Sequence, residues 1–190
     1  GPDALIRSHT VVYSGVTAGA ALQTGHRVTI REGSEIGVDV RVGTLSDLQG
    51  DLRIGDHVRL HSNVFVASGT VIEAFVWVFP SVVFTNDPHP PSDSCLSGAT
   101  VRRFAVVAAR AVLLPGVDVG EHALVGAASL VADDVPPRTV VVGSPARVIG
   151  PVEGVRCRHG ALEQVYPWPL QFRRGYPEGV LPTADRLDEV

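Results

Sequence analysis

Large apolar residues return every six positions along much of this 190-residue chain. From Ile30 the series runs through Ile36, Val42, Leu48, Ile54, Leu60, Val66, Ile72 and Val78 to Phe84 without a break. Four places after these residues stands a second series, small or β-branched for the most part: Ser34, Val40, Ser46, Leu52, Val58, Val64, Thr70, Val76 and Val82. The rhythm resumes at Val101 and continues through Val107, Leu113, Val119, Val125 and Val131. Neither the helical period nor the two-residue alternation of an ordinary strand gives a period of six. A short flat strand followed by a turn does, and three such units close one triangular coil. Coils stacked about 4.8 Å apart pair each strand with those above and below. The series residues then fill the prism, where burial of each aliphatic side chain contributes roughly 1.5–3 kcal/mol. Glycine follows several of them, at Gly37, Gly43 and Gly55, which predicts a positive φ at those turns.

The predicted fold is therefore all-β, a parallel β-helix of hexapeptide repeats over residues 1–150. The stretch before Ile30 keeps the phase loosely through Ile6, Val12, Ala18 and Thr24. Two later stretches break it. From Phe84 to Val101 the spacing falls one short of a full coil, so a segment of about 85–99 leaves the prism and returns. It contains FTNDPHPPSDSC, and expelled loops are where solenoids tend to place binding groups. After Gly150 the rhythm is gone. Residues 151–190 read as a C-terminal extension, a short helix followed by proline-punctuated aromatics at Tyr166, Trp168, Phe172 and Tyr176. Such a tail is expected to cap an open end of the core or a neighbouring subunit.

Composition narrows the partners. The formal charge is −4 and every basic side chain other than histidine is arginine, with no basic block, which argues against nucleic acid or an anionic membrane. No apolar run approaches a membrane span, and the opening GPDALIRSHT has neither a basic n-region nor an apolar h-region. Cys95 and Cys157 are too few for a disulfide framework and fit a reducing, cytoplasmic setting.

The repeat, together with two motifs, resembles the left-handed β-helix (hexapeptide-repeat) acyltransferases. DDVPPRTVVVGSPARVIG, residues 133–150, is similar to their terminal coil, with its Gly-x-Pro-Ala-Arg element at Gly143 to Arg147. FTNDPHPPS is similar to the Asn-Asp-x-Tyr-Pro-Arg loop of bacterial nucleotide-sugar N-acetyltransferases. The resemblance implies a left-handed coil, where the usual crossover preference would give a right-handed one. It also implies a homotrimer, acetyl-CoA as co-substrate in a groove between the coils of two subunits, and an amino-sugar acceptor near the loop. His89 stands where the motif has Tyr, Pro91 where it has Arg, and Phe79 where a Gly often precedes Pro80. These departures fall where the acceptor would be recognised.

Stacking coil on coil places His26, His61, Ser62 and Asn63 on one exposed corner, and Arg31, Glu32, Thr85 and Asn86 on another. Acyl transfer needs a free amine or an activated hydroxyl, a site for the oxyanion and a route for the proton. A histidine base contributes about 10²–10⁴ in rate, and His26, His61 and His89 are the candidates. In the resembling sugar N-acetyltransferases the amine attacks directly and the departing sulfur takes the proton, which makes Asn86 and Asp87 orienting groups. The catalytic set is then Asn86, Asp87 and His61, and the acceptor set His26, Arg31, Glu32, His89 and Asn63. For the CoA phosphates the resemblance points to Arg138 and Arg147, with Pro145 in the same element, because guanidinium forks suit phosphate. Ala108, Ala109, Gly126 and Ala127 would let the pantetheine arm lie close to the backbone, although tight turns want small residues in any case. Arg102 and Arg103 follow the loop and are expected to pair with a sugar diphosphate or with Asp87. Some left-handed β-helices are zinc carbonic anhydrases, but Gly25-His26 lacks a second histidine five positions on, and no metal is expected. An O-acyltransferase, a natural-product acyltransferase and a non-catalytic scaffold on the same fold remain the alternatives.

Overall fold

In a computed structural model describing residues 1–92 and 94–183, the chain winds as a left-handed parallel β-helix of about seven turns. Nearly all of its strands are two residues long and stack into three sheets that form the faces of a prism. The first face runs from Val11–Val12 through Phe65–Val66 to Leu130–Val131, the second from Thr17–Ala18 to Asp118–Val119. The third begins at Gln23–Thr24 and ends in an antiparallel hairpin, Thr139–Gly143 with Ala146–Pro151. Thr29 pairs with Asp47 and Asp47 with Phe65, so each coil takes three of the six-step units, one per face.

The six-step series points inward as its period predicts. Ile30, Leu48, Val66, Phe84 and Leu113 are fully buried, and so are Val40, Leu52, Val58 and Val76 of the second series. In the coil containing the loop, Val71 pairs with Thr100 and Ile72 with Val101, so the extra chain is added at one corner and the register then resumes. The loop is therefore an insertion between the first and second faces, not a shortened coil.

Three sequence expectations are corrected here. Gly37, Gly43 and Gly55 do not carry the positive φ; Asp39, Leu45 and His57, two positions later, do. The glycines answer a different demand, because a Cβ at Gly43 would lie 2.3 Å from the backbone of His61 on the next coil. The tail holds no α-helix among its described residues, only 3₁₀ turns at Val152–Gly154 and Trp168–Leu170. Pro167 and Pro169 supply no N–H there, and a helix interior would need both. Nor does the tail cap an open end. It lies on the outside of the third face, where Trp168 Nε1 donates to the Phe104 carbonyl at 2.9 Å. Beyond the last coil it is the hairpin that continues the third sheet. No helix among the described residues is long and apolar enough to cross a membrane.

Phe84 fills the prism at the point where the loop departs, so Phe84→Ala should lower the unfolding free energy by about 3–5 kcal/mol. Urea denaturation followed by circular dichroism checks this, and a loss under about 1 kcal/mol would mean that the core closes over the gap.

Candidate functional site

The edge between the third and first faces gathers most of the predicted residues. His26, Thr44, Ser62, Pro80, Ala109 and Ala127 follow one another up this edge, one coil apart. Neighbouring coils are tied there by the His26 N–H to Thr44 Oγ1, 3.2 Å, and by Asn63 Nδ2 to Ser81 Oγ, 3.2 Å. His61, Ala108 and Gly126 run alongside. At the top the hairpin tip joins them, its Gly143 N–H donating to Ser129 Oγ at 3.2 Å, which brings Pro145 to the same edge. Four coil steps separate His61 from Gly143, about 19 Å. The structure thus unites His26, His61, Asn63, Ala108, Ala109, Gly126, Ala127 and Pro145 on a single strip, while Arg147 pairs with Asp133 beyond the first face.

His61 is the one half-buried imidazole of that strip. Its ring stacks on Phe79 with centroids 4.6 Å apart and leans on Trp77 at 5.7 Å. Burial pushes its pKa below the ordinary histidine value, so the ring is neutral at pH 7 and keeps one nitrogen as an acceptor. Above it stand the small residues Ala108, Ala109, Gly126 and Ala127. Gly126 has a packing reason as well, since a Cβ there would approach Val142 Cγ1 to 2.5 Å. Arg110, exposed and left in positive φ on the same strip, was not singled out from the sequence. Extending the coil step past the loop insertion would have found it above Ser81 and Asn63.

Arg31, Glu32, Asn86, Asp87 and His89 lie on a different edge, between the first and second faces. Arg31 and Glu32 pair at 2.8 Å, and Arg31 also donates to Gln49 at 3.4 Å. The hydrogen bond from Arg31 holds the Glu32 carboxyl below the usual carboxylate range. Asn86 Nδ2 donates to Ser68 Oγ at 2.9 Å, one coil below. Asp87 accepts the His89 N–H at 2.9 Å and the Ser92 N–H at 2.7 Å, so its carboxylate braces the loop from inside. His89 is exposed. Within one chain the first face stands between these residues and His61.

Two expected groupings do not form. Arg102 and Arg103 pair with Glu73, Asp118 and Glu121 on the edge between the second and third faces, not with Asp87. Arg138 pairs with Glu153 at 2.6 Å, at the foot of the hairpin, whereas Arg147 sits near its tip 3.4 Å from Asp133. The two arginines therefore do not form one phosphate clamp. Separately, His57 bonds Asp39 at 3.1 Å on the edge between the second and third faces, away from His61.

The tail adds a site that sequence reasoning missed. Arg41 and Arg59, outward-facing on the third face, both donate to the Gly175 carbonyl, at 3.0 and 3.1 Å. Arg59 is buried, pairs with Asp39 at 2.6 Å and lies 4.4 Å from the centroid of the Tyr176 ring. Burial pushes the Asp39 carboxyl up, but hydrogen bonds from Arg59 and His57 outweigh it and hold the pKa below the ordinary value. Beside this anchor the tail roofs two adjoining cavities of about 510 and 470 Å³. The signal lay in the outward positions 41, 59 and 77 of successive coils, Arg, Arg and Trp.

No family model matches the sequence. Among curated proteins the chain is 30% identical to serine acetyltransferase of Salmonella typhimurium over 119 residues, which covers 58% of this chain and 40% of that protein. It is 37% identical to 2,3,4,5-tetrahydropyridine-2,6-dicarboxylate N-acetyltransferase of Staphylococcus aureus over 87 residues, 46% of this chain and 30% of that one. The chain spans between 20% and 42% of the length of such relatives. Among solved structures it superposes on a hexapeptide-repeat-containing acetyltransferase of Vibrio cholerae with a TM-score of 0.53 at 21% identity, covering 75% and 73% of the two chains. The acetyltransferase domain of PglB from Neisseria gonorrhoeae, in complex with acetyl coenzyme A, gives 0.52 at 17% identity, covering 77% and 58%.

Because Asp87 braces a loop outside the prism, Asp87→Ala should change global stability by less than about 1 kcal/mol. It should instead raise amide hydrogen exchange at His89 and Ser92. Unchanged exchange at both would show that the carboxylate does not order the loop.

Proposed function

We propose that this chain, whose repeat and solenoid resemble those of the hexapeptide-repeat acetyltransferases, moves acetyl from acetyl-CoA to the amine of a nucleotide-linked amino sugar. In this reading residues 1–150 are the acyltransferase unit and 151–190 an extension of it. The observation that carries it is the strip itself: a half-buried histidine at one end, a run of small side chains above it, and the cation Arg147 near the hairpin tip. A pantetheine arm lying along Ala108, Ala109, Gly126 and Ala127 delivers its thioester toward His61, while Arg147 and Arg110 meet phosphates. The acetyltransferase names of the sequence relatives and the acetyl coenzyme A held by the PglB neighbour support the donor. The NDPHPP loop supports the sugar acceptor through its resemblance to the nucleotide-sugar enzymes.

Assembly follows from the first face. Its outward residues Phe65, Val83, Val112 and Leu130 make an apolar row, with Phe65 37% exposed. Three copies packed by this row around an axis would bury it and bring the loop edge of one copy to the groove edge of the next. Asn86 and Asp87 of one copy would then complete the strip of another. The reduced cysteines fit a cytoplasmic enzyme.

The chemistry is an addition and an elimination. The amine lone pair attacks the thioester carbonyl carbon, a backbone N–H stabilises the oxyanion, and the C–S bond breaks as the amide forms. The thiolate leaves and takes the proton released by nitrogen. Asp87, held by two N–H donors, orders the loop, and Asn86 retains its side-chain oxygen to accept an N–H of the acceptor. A second reading has one specific observation in its favour. His61 is neutral and its ring has no hydrogen-bond partner among the described residues, which is the state a hydroxyl acceptor would need in a base.

Thiol release from acetyl-CoA, measured with nucleotide-linked 3-amino and 4-amino sugars, tests the proposal. Release should require one such sugar and fall at least tenfold in Asn86→Ala. His61→Asn should cost under about tenfold with an amine acceptor and about 10²–10⁴ with a hydroxyl acceptor. If His61 is the base, activity falls as the pH drops through its pKa, which burial holds below the ordinary histidine value. Acetyl-CoA binding without release on any amino sugar would move the acceptor outside this class, and no binding at all would leave a scaffold.

A further inference from the structure

The cleft roofed by the tail has two chemically different halves that share Trp77 and Arg174. One half, about 510 Å³, is lined by Arg7, Arg41, Arg59 and Arg174 and by no carboxylate. Only Asp39, behind Arg59, offsets this charge locally. Four cations at one surface against the single carboxylate of Asp39, which pairs with Arg59 and lies 3.8 Å from Arg41, leave a local positive excess on a chain of net charge −4, the footprint of an anion site. The guanidiniums of Arg7 and Arg174 pair with no carboxylate among the described residues; Arg7 donates to the Thr24 carbonyl at 2.7 Å. The other half, about 470 Å³, is walled by Phe79, Val106, Tyr166, Trp168 and Phe172. His61 lines the arginine half and stacks on Phe79 of the aromatic half, so the junction lies at the foot of the donor groove.

We infer that this cleft seats the nucleotide portion of the acceptor, a nucleoside diphosphate, with its base among the aromatic rings and its phosphates on Arg7, Arg41 and Arg174. The inference rests on the acetyltransferase reading and deepens it by assigning the acceptor side to the tail and third face of one chain. Stacking on aromatic faces tolerates any base, and guanidinium forks bind phosphate oxygens bidentately. With the diphosphate held there, the attached sugar extends past His61 toward the end of the groove where the thioester arrives. The Gly175 clamp on Arg41 and Arg59 keeps the tail in place as the roof.

The chain has two tryptophans, Trp77 and Trp168, and both line the aromatic half. Intrinsic fluorescence therefore reports on this cleft without reference to turnover. Uridine, thymidine and guanosine diphosphates are titrated into wild type, Arg174→Ala and Arg7→Ala, with calorimetric binding of acetyl-CoA measured in parallel. At least one diphosphate should quench the tryptophans at sub-millimolar concentration. Either exposed-arginine variant should weaken it tenfold or more, the parent nucleoside should not quench, and pyrophosphate should compete. Quenching that persists at saturating CoA keeps the cleft for the acceptor. Quenching abolished by CoA overturns that assignment, since the donor's own nucleotide then occupies the cleft. No quenching by any diphosphate, with acetyl-CoA still bound, removes the inference and leaves the acetyltransferase reading standing. Absence of both binding events removes both.

Discussion

The parallel pairing of each residue with its counterpart one full coil on is the constraint from which the rest of this molecule follows. With strands so short, each contributes few hydrogen bonds, such as Thr29 N–H to the Ser46 carbonyl at 3.0 Å and Asp47 N–H to the Val64 carbonyl at 2.9 Å. The register is held by the sum over all coils and by the inward series, because a slip by a single position would turn Ile30, Leu48 and Val66 outward together. Close stacking also decides where side chains are forbidden. At Gly25, Gly43 and Gly126 a Cβ would meet the neighbouring coil, and Leu45, Phe75 and Phe104 accept a positive φ that costs roughly 1–2 kcal/mol apiece in an L-residue. Any insertion must leave and return at a corner, as the segment before Thr100 does.

That same constraint made much of the site legible. A period read from the sequence assigns every residue to a face or an edge, so the company of His26, His61 and Asn63 was visible in the sequence alone. So was the column of Ser68 and Asn86, now joined by a hydrogen bond of 2.9 Å. What the period does not encode is which charges choose each other. Arg102 meets Asp118 and Glu73, and Arg138 meets Glu153, through side-chain reach that crosses coil boundaries. The tail was illegible for a simpler reason. It has no period, its prolines break the helix its composition invites, and its docking depends on outward residues of the third face, Arg41, Arg59 and Trp77. The loop resembles a family motif, yet Asp87 proves occupied by backbone donors, which no motif comparison registers.

The proposed division of labour uses all three prism elements. One edge carries the donor groove, the opposite side of the first face carries the loop, and the third face with its tail carries an arginine-rich and aromatic cleft. Trp77 and Phe79 link the last of these to the groove through their contacts with His61. In this scheme the solenoid supplies rigidity and spacing, while chemistry and specificity come from what leaves it, the loop and the tail.

The central claim, that the strip of small residues is the donor groove, is tested most directly by calorimetric titration of acetyl-CoA into wild type and Ala109→Trp. Ala109 is half-buried on the strip, and an indole there would fill the groove without entering the prism. Binding to wild type, weakened at least about tenfold, or about 1.4 kcal/mol, in the variant at unchanged folding stability is the predicted result. Equal affinity in both proteins would contradict it.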